Sequence, residues 1–129
     1  MTSINFKREI SDTFDHAIER TTKALGAEGF GVLTRIDMHS KIKEKIGKDI
    51  IPTVILGACN PTLAYEAYTA NSDVASLLPC NAVIREIAPG RISLEFIKPT
   101  AMMQMLGDAK LANLAREADT KIERALANT

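Results

Sequence analysis

The sequence predicts one α+β domain: a small sheet with a β-hairpin in its C-terminal half, covered by helices that include a long amphipathic C-terminal one. Three observations carry this. Helical and strand periodicities mix along the chain without the strict alternation of a parallel α/β fold. The runs CNAVIREI and RISLEFIK are joined through APGR, whose Pro-Gly marks a hairpin. Along residues 108–129, Leu111, Leu114, Ala115, Ala118, Ile122 and Leu126 form one apolar helical stripe. The 129 residues make a single domain, 1–129, long enough to bury a core.

The elements follow in order. In SDTFDHAIERTTKALGAEGF, Ser11 or Asp12 serves as N-cap, and Phe14, Ala17, Ile18, Thr21 and Leu25 follow at helical spacing until Gly29 ends the helix. FGVLTRID reads as a strand with Phe30, Val32, Thr34 and Ile36 on one face and Leu33, Arg35 and Asp37 on the other. HSKIKEKIG is a short helix with Ile42 and Ile46 inward and Gly47 as its stop. PTVILGAC is apolar on both faces, as a central strand is. Asn60 then caps a helix, with Pro61 at its first position and TLAYEAYTA as its body; Tyr65 and Tyr68 share a face. Pairing Ile87 with Ile92 across the hairpin gathers Val83, Ile87, Ile92, Leu94 and Phe96 on the face that helices cover. Cys80, Ala82, Ile84, Glu86, Ser93 and Glu95 then form a mixed face, suited to water or a partner subunit. After Pro99, Met102, Met103 and Met105 are expected to fill the core.

Charge narrows the function classes. Sixteen basic residues balance sixteen acidic ones, so no overall field attracts nucleic acid or an anionic membrane, and repulsion between copies is low. The N-terminus has no apolar signal-peptide core, and IIPTVILGA is far shorter than a membrane span. A cytoplasmic protein with reduced thiols is the expectation, with no partner membrane or nucleic acid.

GFGVLTRID, LGACNPTLAYEA and LLPCNAVIRE resemble the three signature blocks of the domain of unknown function 302 family, and the resemblance runs from about Phe6 to Leu126. It implies a compact α+β fold, often a homodimer, without an assigned catalytic activity or agreed functional residues.

The two cysteines are each followed by asparagine, in Cys59-Asn60 and Cys80-Asn81. Cys59 ends a strand just before a helix N-terminus, where N–H groups and the helix dipole can stabilise a thiolate or hold a small anion. The plain alternative is close packing, with Cys59 a small buried residue, Cys80 a half-buried strand residue and Asn60 a cap. If the intervening helix joins parallel strands, the commoner use of such a helix, the cysteines lie at opposite sheet edges; antiparallel strands would place them together. Were the strands ending at Asp37 and Cys59 parallel neighbours, Asp37, His39 and Cys59 would converge in a thiol-hydrolase-like rim. Otherwise His39 is a solvated turn residue and His16 an exposed helix residue. Asn81 sits on the apolar face near Lys98, where its amide can serve a loop or a ligand. Cys59, Asn60, Asp37, His39, Cys80 and Asn81 are therefore the candidate ligand-binding residues. No CxxC, HxxxH or Gly-rich phosphate loop occurs, so neither a metal nor a cofactor is expected. The leading expectation is a homodimer that binds a small ligand, anionic if held at that helix N-terminus, or a partner. A thiol-dependent enzyme or redox sensor using Cys59 or Cys80, and a structural module without a site, are the alternatives.

Overall fold

Among residues 3–129, which the computed structural model describes, there are five strands and five α-helices. They run β1 (Asn5–Ser11), α1 (Phe14–Ala27), β2 (Gly31–Asp37), α2 (Met38–Ile46), β3 (Thr53–Cys59), α3 (Pro61–Ala70), β4 (Cys80–Ala88), β5 (Arg91–Ile97), α4 (Pro99–Met103) and α5 (Ala112–Ala127). Short 3₁₀ turns occupy Ser72–Leu77, Gln104–Leu106 and Ala109–Leu111. The strands form one sheet in the order β1-β5-β4-β3-β2, and all neighbours are antiparallel. The predicted α+β domain, the late hairpin, the central β3 and the long C-terminal helix are all present.

One face of the sheet is dry. Val54, Leu56 and Ala58 of β3, Ala82 and Ile84 of β4, and Ile92, Leu94 and Phe96 of β5 pack against Ala17, Ile18 and Leu25 of α1 and Ala118, Ile122 and Leu126 of α5. Period-two alternation on the strands and the i, i+3, i+4 stripes on the helices bring these residues into one layer. A smaller cluster of Ala67, Val74 and Leu111 joins α3 to the turn that leads into α5. Asp119 of α5 fastens α4 by accepting hydrogen bonds from Thr100 N (2.9 Å) and Thr100 Oγ1 (2.6 Å). Arg8 of β1 donates from Nη1 to the carbonyls of Leu126, Ala127 and Thr129 at 2.9–3.0 Å, satisfying the orphan acceptors at the end of α5.

The opposite face lacks such a layer. It presents Thr34, Ile36, Ile55, Gly57, Asn81, Val83 and Arg85, with Ser93 and Glu95 sunk between longer neighbours. Glu95 accepts from Ser93 Oγ at 3.0 Å and pairs with Arg85 at 3.3 Å.

Several expectations need correction. Asn5–Ser11, without an assigned element, is an edge strand. The hairpin pairs Glu86, not Ile87, with Ile92, because the chain shifts by one residue between Glu86 and Ala88. That single residue exchanges the faces. Ala82 and Ile84 meet the helices, Val83 and Asn81 do not, and Ile87 is exposed. A second irregularity between Val32 and Thr34 leaves Leu33 unpaired, so Phe30 and Val32 face the core while Thr34 and Ile36 face the other way. Thr13, not Ser11 or Asp12, caps α1, its side chain accepting from His16 N at 3.2 Å. Ile46 and Met105 are exposed rather than inward.

Gly57 shows how tightly the open face is packed at one point. A Cβ there would lie 2.8 Å from Pro79 Cγ and closer still to Thr34 Oγ1. Gly57→Ala is expected to cost about 1–3 kcal/mol in urea unfolding, the range for overpacking. Thr34→Ala on that background should recover part of the loss, and no recovery would mean that Pro79 alone sets the limit.

Candidate functional site

The antiparallel sheet decides which candidate residues meet. Because β3 runs antiparallel to β4, Ala58 pairs with Cys80, and Cys59 lies one residue beyond. The two Cys-Asn pairs therefore sit at the same sheet edge, not at opposite edges as a parallel crossover would place them. Strand alternation nonetheless turns Cys59 away from the face that Cys80 shares with Ala58. Both thiols are free, and side chains on opposite faces are poorly aimed for a disulfide.

Antiparallel pairing also separates the predicted thiol-hydrolase rim. Gly31 pairs with Cys59 while Asp37 pairs with Val54, so Asp37 and His39 lie at the other end of β3, about 20 Å away along the strand. His39 is not a solvated turn residue. It is half-buried, its Nδ1 accepts from Thr53 N at 3.0 Å, and its ring meets Phe14 edge-on with centroids 6.0 Å apart. Its work is to fasten α2 to β3. Asp37 pairs with Arg35 at 3.0 Å in the open. His16 is exposed as expected and binds Asp12 at 2.7 Å. Asn81 is exposed on the open face opposite Gly57, not on the apolar face near Lys98.

Asn60 and Cys80 remain together, at the wall of an apolar crevice. Asn60 caps α3 as its sequence position requires: Oδ1 accepts from Leu63 N at 3.2 Å. Its Nδ2 also donates to Glu28 O at 3.5 Å, bridging α3 to the end of α1. Gly29 (φ +83°) leaves room for this bridge, since a Cβ there would lie 2.9 Å from Asn60 Nδ2. Cys80 is buried, and desolvation pushes its thiol up to about 12, helped by Cys59 and by Asp119 of α5. It is a protonated thiol at neutral pH.

The crevice runs between α3, α5 and the start of α4, with about 40 Å³ of free space. Leu63, Ala64, Ala67, Leu78, Met103, Leu111, Leu114 and Ala115 supply most of its lining; Asn60 and Cys80 are its polar side chains. Sequence reasoning assigned none of the apolar residues to a site. The available signal was small residues at i, i+3 on two helices, Ala64/Ala67 and Ala115/Ala118, which let neighbouring backbones come close. Among the described residues, no group of three or more His, Cys, Asp or Glu side chains gathers as a metal site would need, and no helix is long and apolar enough to cross a membrane.

A five-stranded antiparallel sheet with helices layered on one face, and an apolar crevice at the Cys-Asn edge, defines a small α+β domain. The chain belongs to the family described as Domain of unknown function DUF302, whose model matches residues 6–129. It is similar to the crystal structure of an uncharacterized conserved DUF302 protein from Bacillus stearothermophilus, at 29% identity over 98% of each chain with a TM-score of 0.91. No curated protein matches it.

Two outcomes check this geometry. Iodoacetamide at pH 8 should modify the half-buried Cys59 well before Cys80, whose thiolate population is reduced about a thousandfold; equal rates by peptide mass mapping would contradict the buried assignment. The raised Cys80 value also gives a sign. Unfolded chains release this proton near pH 9 and folded ones near 12, so its contribution to stability is intact below pH 9 and is lost as pH rises from there. Cys80→Ala should flatten that part of the urea-denaturation profile.

Proposed function

We propose that this protein is a homodimer that binds a small, uncharged, apolar ligand in the crevice between α3 and α5. The observation that carries the reading is the lining itself: an apolar recess with two polar side chains, the Asn60 amide and the Cys80 thiol, is the composition of a small-molecule site. With no cationic side chain in that lining, the geometry favours a neutral ligand over the small anion expected at the helix N-terminus. Cys59, Asn81, Asp37 and His39 fall outside this reading, on the open face or at the far end of β3. The balanced charge and the half-apolar open face favour association of two copies. A reducing cytoplasm suits the two free thiols. Thiol catalysis gains nothing from this arrangement. Cys80 is held protonated, and His39 lies at the other end of the strand from Cys59.

Amide spectra recorded during titration with short aliphatic alcohols, methanol and ethanol first, test the reading. Saturable shifts centred on Leu63, Cys80 and Ala115 are expected, and Ala64→Leu, which fills the recess from its rim, should abolish them without altering the circular dichroism spectrum. Shifts spread over the open sheet face, or none with any probe, would remove the support for a crevice ligand.

A further inference from the structure

The two edges of the sheet are built differently. On β1, Lys7 and Glu9 stand on the open face and Arg8 is committed to the end of α5, so this edge is guarded by charge. On β2 the open face carries no charge, since Arg35 and Asp37 stand on the other side of the strand. Ile36 is 42% exposed and Leu33 is 67% exposed beside the unpaired outer backbone of the strand.

The cross-strand register makes the difference sharper. One row of side chains crosses the whole open face: Lys7 opposite Glu95, Glu95 opposite Val83, Val83 opposite Ile55, and Ile55 opposite Ile36. The row begins in charged side chains at the guarded edge and runs out in aliphatic ones at the unguarded edge. Ile36 is where it stops short.

We propose that the β2 edge joins two copies of this chain, pairing antiparallel about Ile36 so that the sheet and its aliphatic row continue through a two-fold axis. This deepens the homodimer reading above and rests on it. A two-fold axis perpendicular to the sheet must centre on one residue of the strand. Centring on Arg35 would oppose Arg35 to its own copy, and centring on Thr34 would carry the ladder into the irregularity at Leu33. Centring on Ile36 opposes Arg35 to the partner's Asp37 and Asp37 to the partner's Arg35. These side chains already pair within one chain at 3.0 Å, so the dyad assembles a neutral quartet of charges. Ile36 then meets the partner's Ile36, and the row reads Val83, Ile55, Ile36 and back again. The strand is self-complementary in both shape and charge, which selects a second copy as the occupant.

Sedimentation velocity over a concentration series tests the proposal with three full-length variants. Arg35→Glu and Asp37→Lys should each weaken dimerisation about tenfold or more, because like charges then oppose one another. Mixing these two variants should restore dimers, since each introduced charge meets its opposite on the other chain. Asp37 makes no side-chain hydrogen bond to α2, so its substitution removes no capping bond from that helix. Ile36→Lys, an open-face change that leaves the helix-covered core untouched, should also give monomers and serves if either charge variant misfolds. A dimeric wild type whose variants and mixture all stay dimeric would overturn the β2 assignment while leaving self-association standing. A monomeric wild type at all concentrations would overturn both.

Discussion

The layer of aliphatic side chains between the sheet and helices α1 and α5 is what the rest of the molecule depends on. Leu56, Ile84, Ile92, Leu94 and Phe96 are all essentially inaccessible there, and burial of each such side chain contributes about 1.5–3 kcal/mol. Among the described residues, no other cluster gathers as many large side chains. The layer fixes which way each central strand faces, and through the strands it fixes what reaches the Cys-Asn edge. Cys80 is buried because it continues the alternation of Ala82 and Ile84; Cys59 is turned away because Ala58 and Leu56 are not. The chemistry of the two thiols is thus set by packing several residues distant from them.

Much of this was legible in the sequence, and the failures have a common form. The helices were readable because their stripes span three or more turns and their caps are local: Asn60 before Pro61 is a signal confined to a few residues. The central position of β3 followed from an apolar composition on both faces. What went astray turned on single inserted residues. One near Leu33 and one near Ile87 exchange inside for outside over the strand that follows, and no local pattern announces either. β1 was hidden by its own charges, because NFKREIS alternates weakly and its inward Arg8 is paired with carbonyls more than a hundred residues away. Strand direction is likewise a property of the whole topology. The six candidate residues were drawn from the ends of predicted strands, yet antiparallel pairing sends Asp37 and His39 to one end and the cysteines to the other.

The crevice and the open face represent two different economies of burial. In the crevice, small residues on two helices leave space that the surrounding large ones do not fill. On the open face, a buried carboxylate is held by Ser93 and Arg85, so the sheet tolerates a charge at its centre while exposing isoleucine at its rim. Polar groups inside and apolar groups outside reverse the usual distribution, and both departures occur away from the helix-covered layer.

The clasp between Arg8 and the end of α5 also bears on how the chain is made. It joins positions 118 to 121 residues apart, and α5 supplies half of the roof over the sheet. As the polypeptide leaves the ribosome, β1 must wait for β5, the strand it pairs with, and then for α5. The covered face therefore stays wet until α5 has emerged. A fold in which β1 is clasped by the end of α5 has contacts of high sequence separation, and it gains cooperativity at the expense of speed. Its early strands emerge with aliphatic faces and no cover, in the interval when chaperones have most to do.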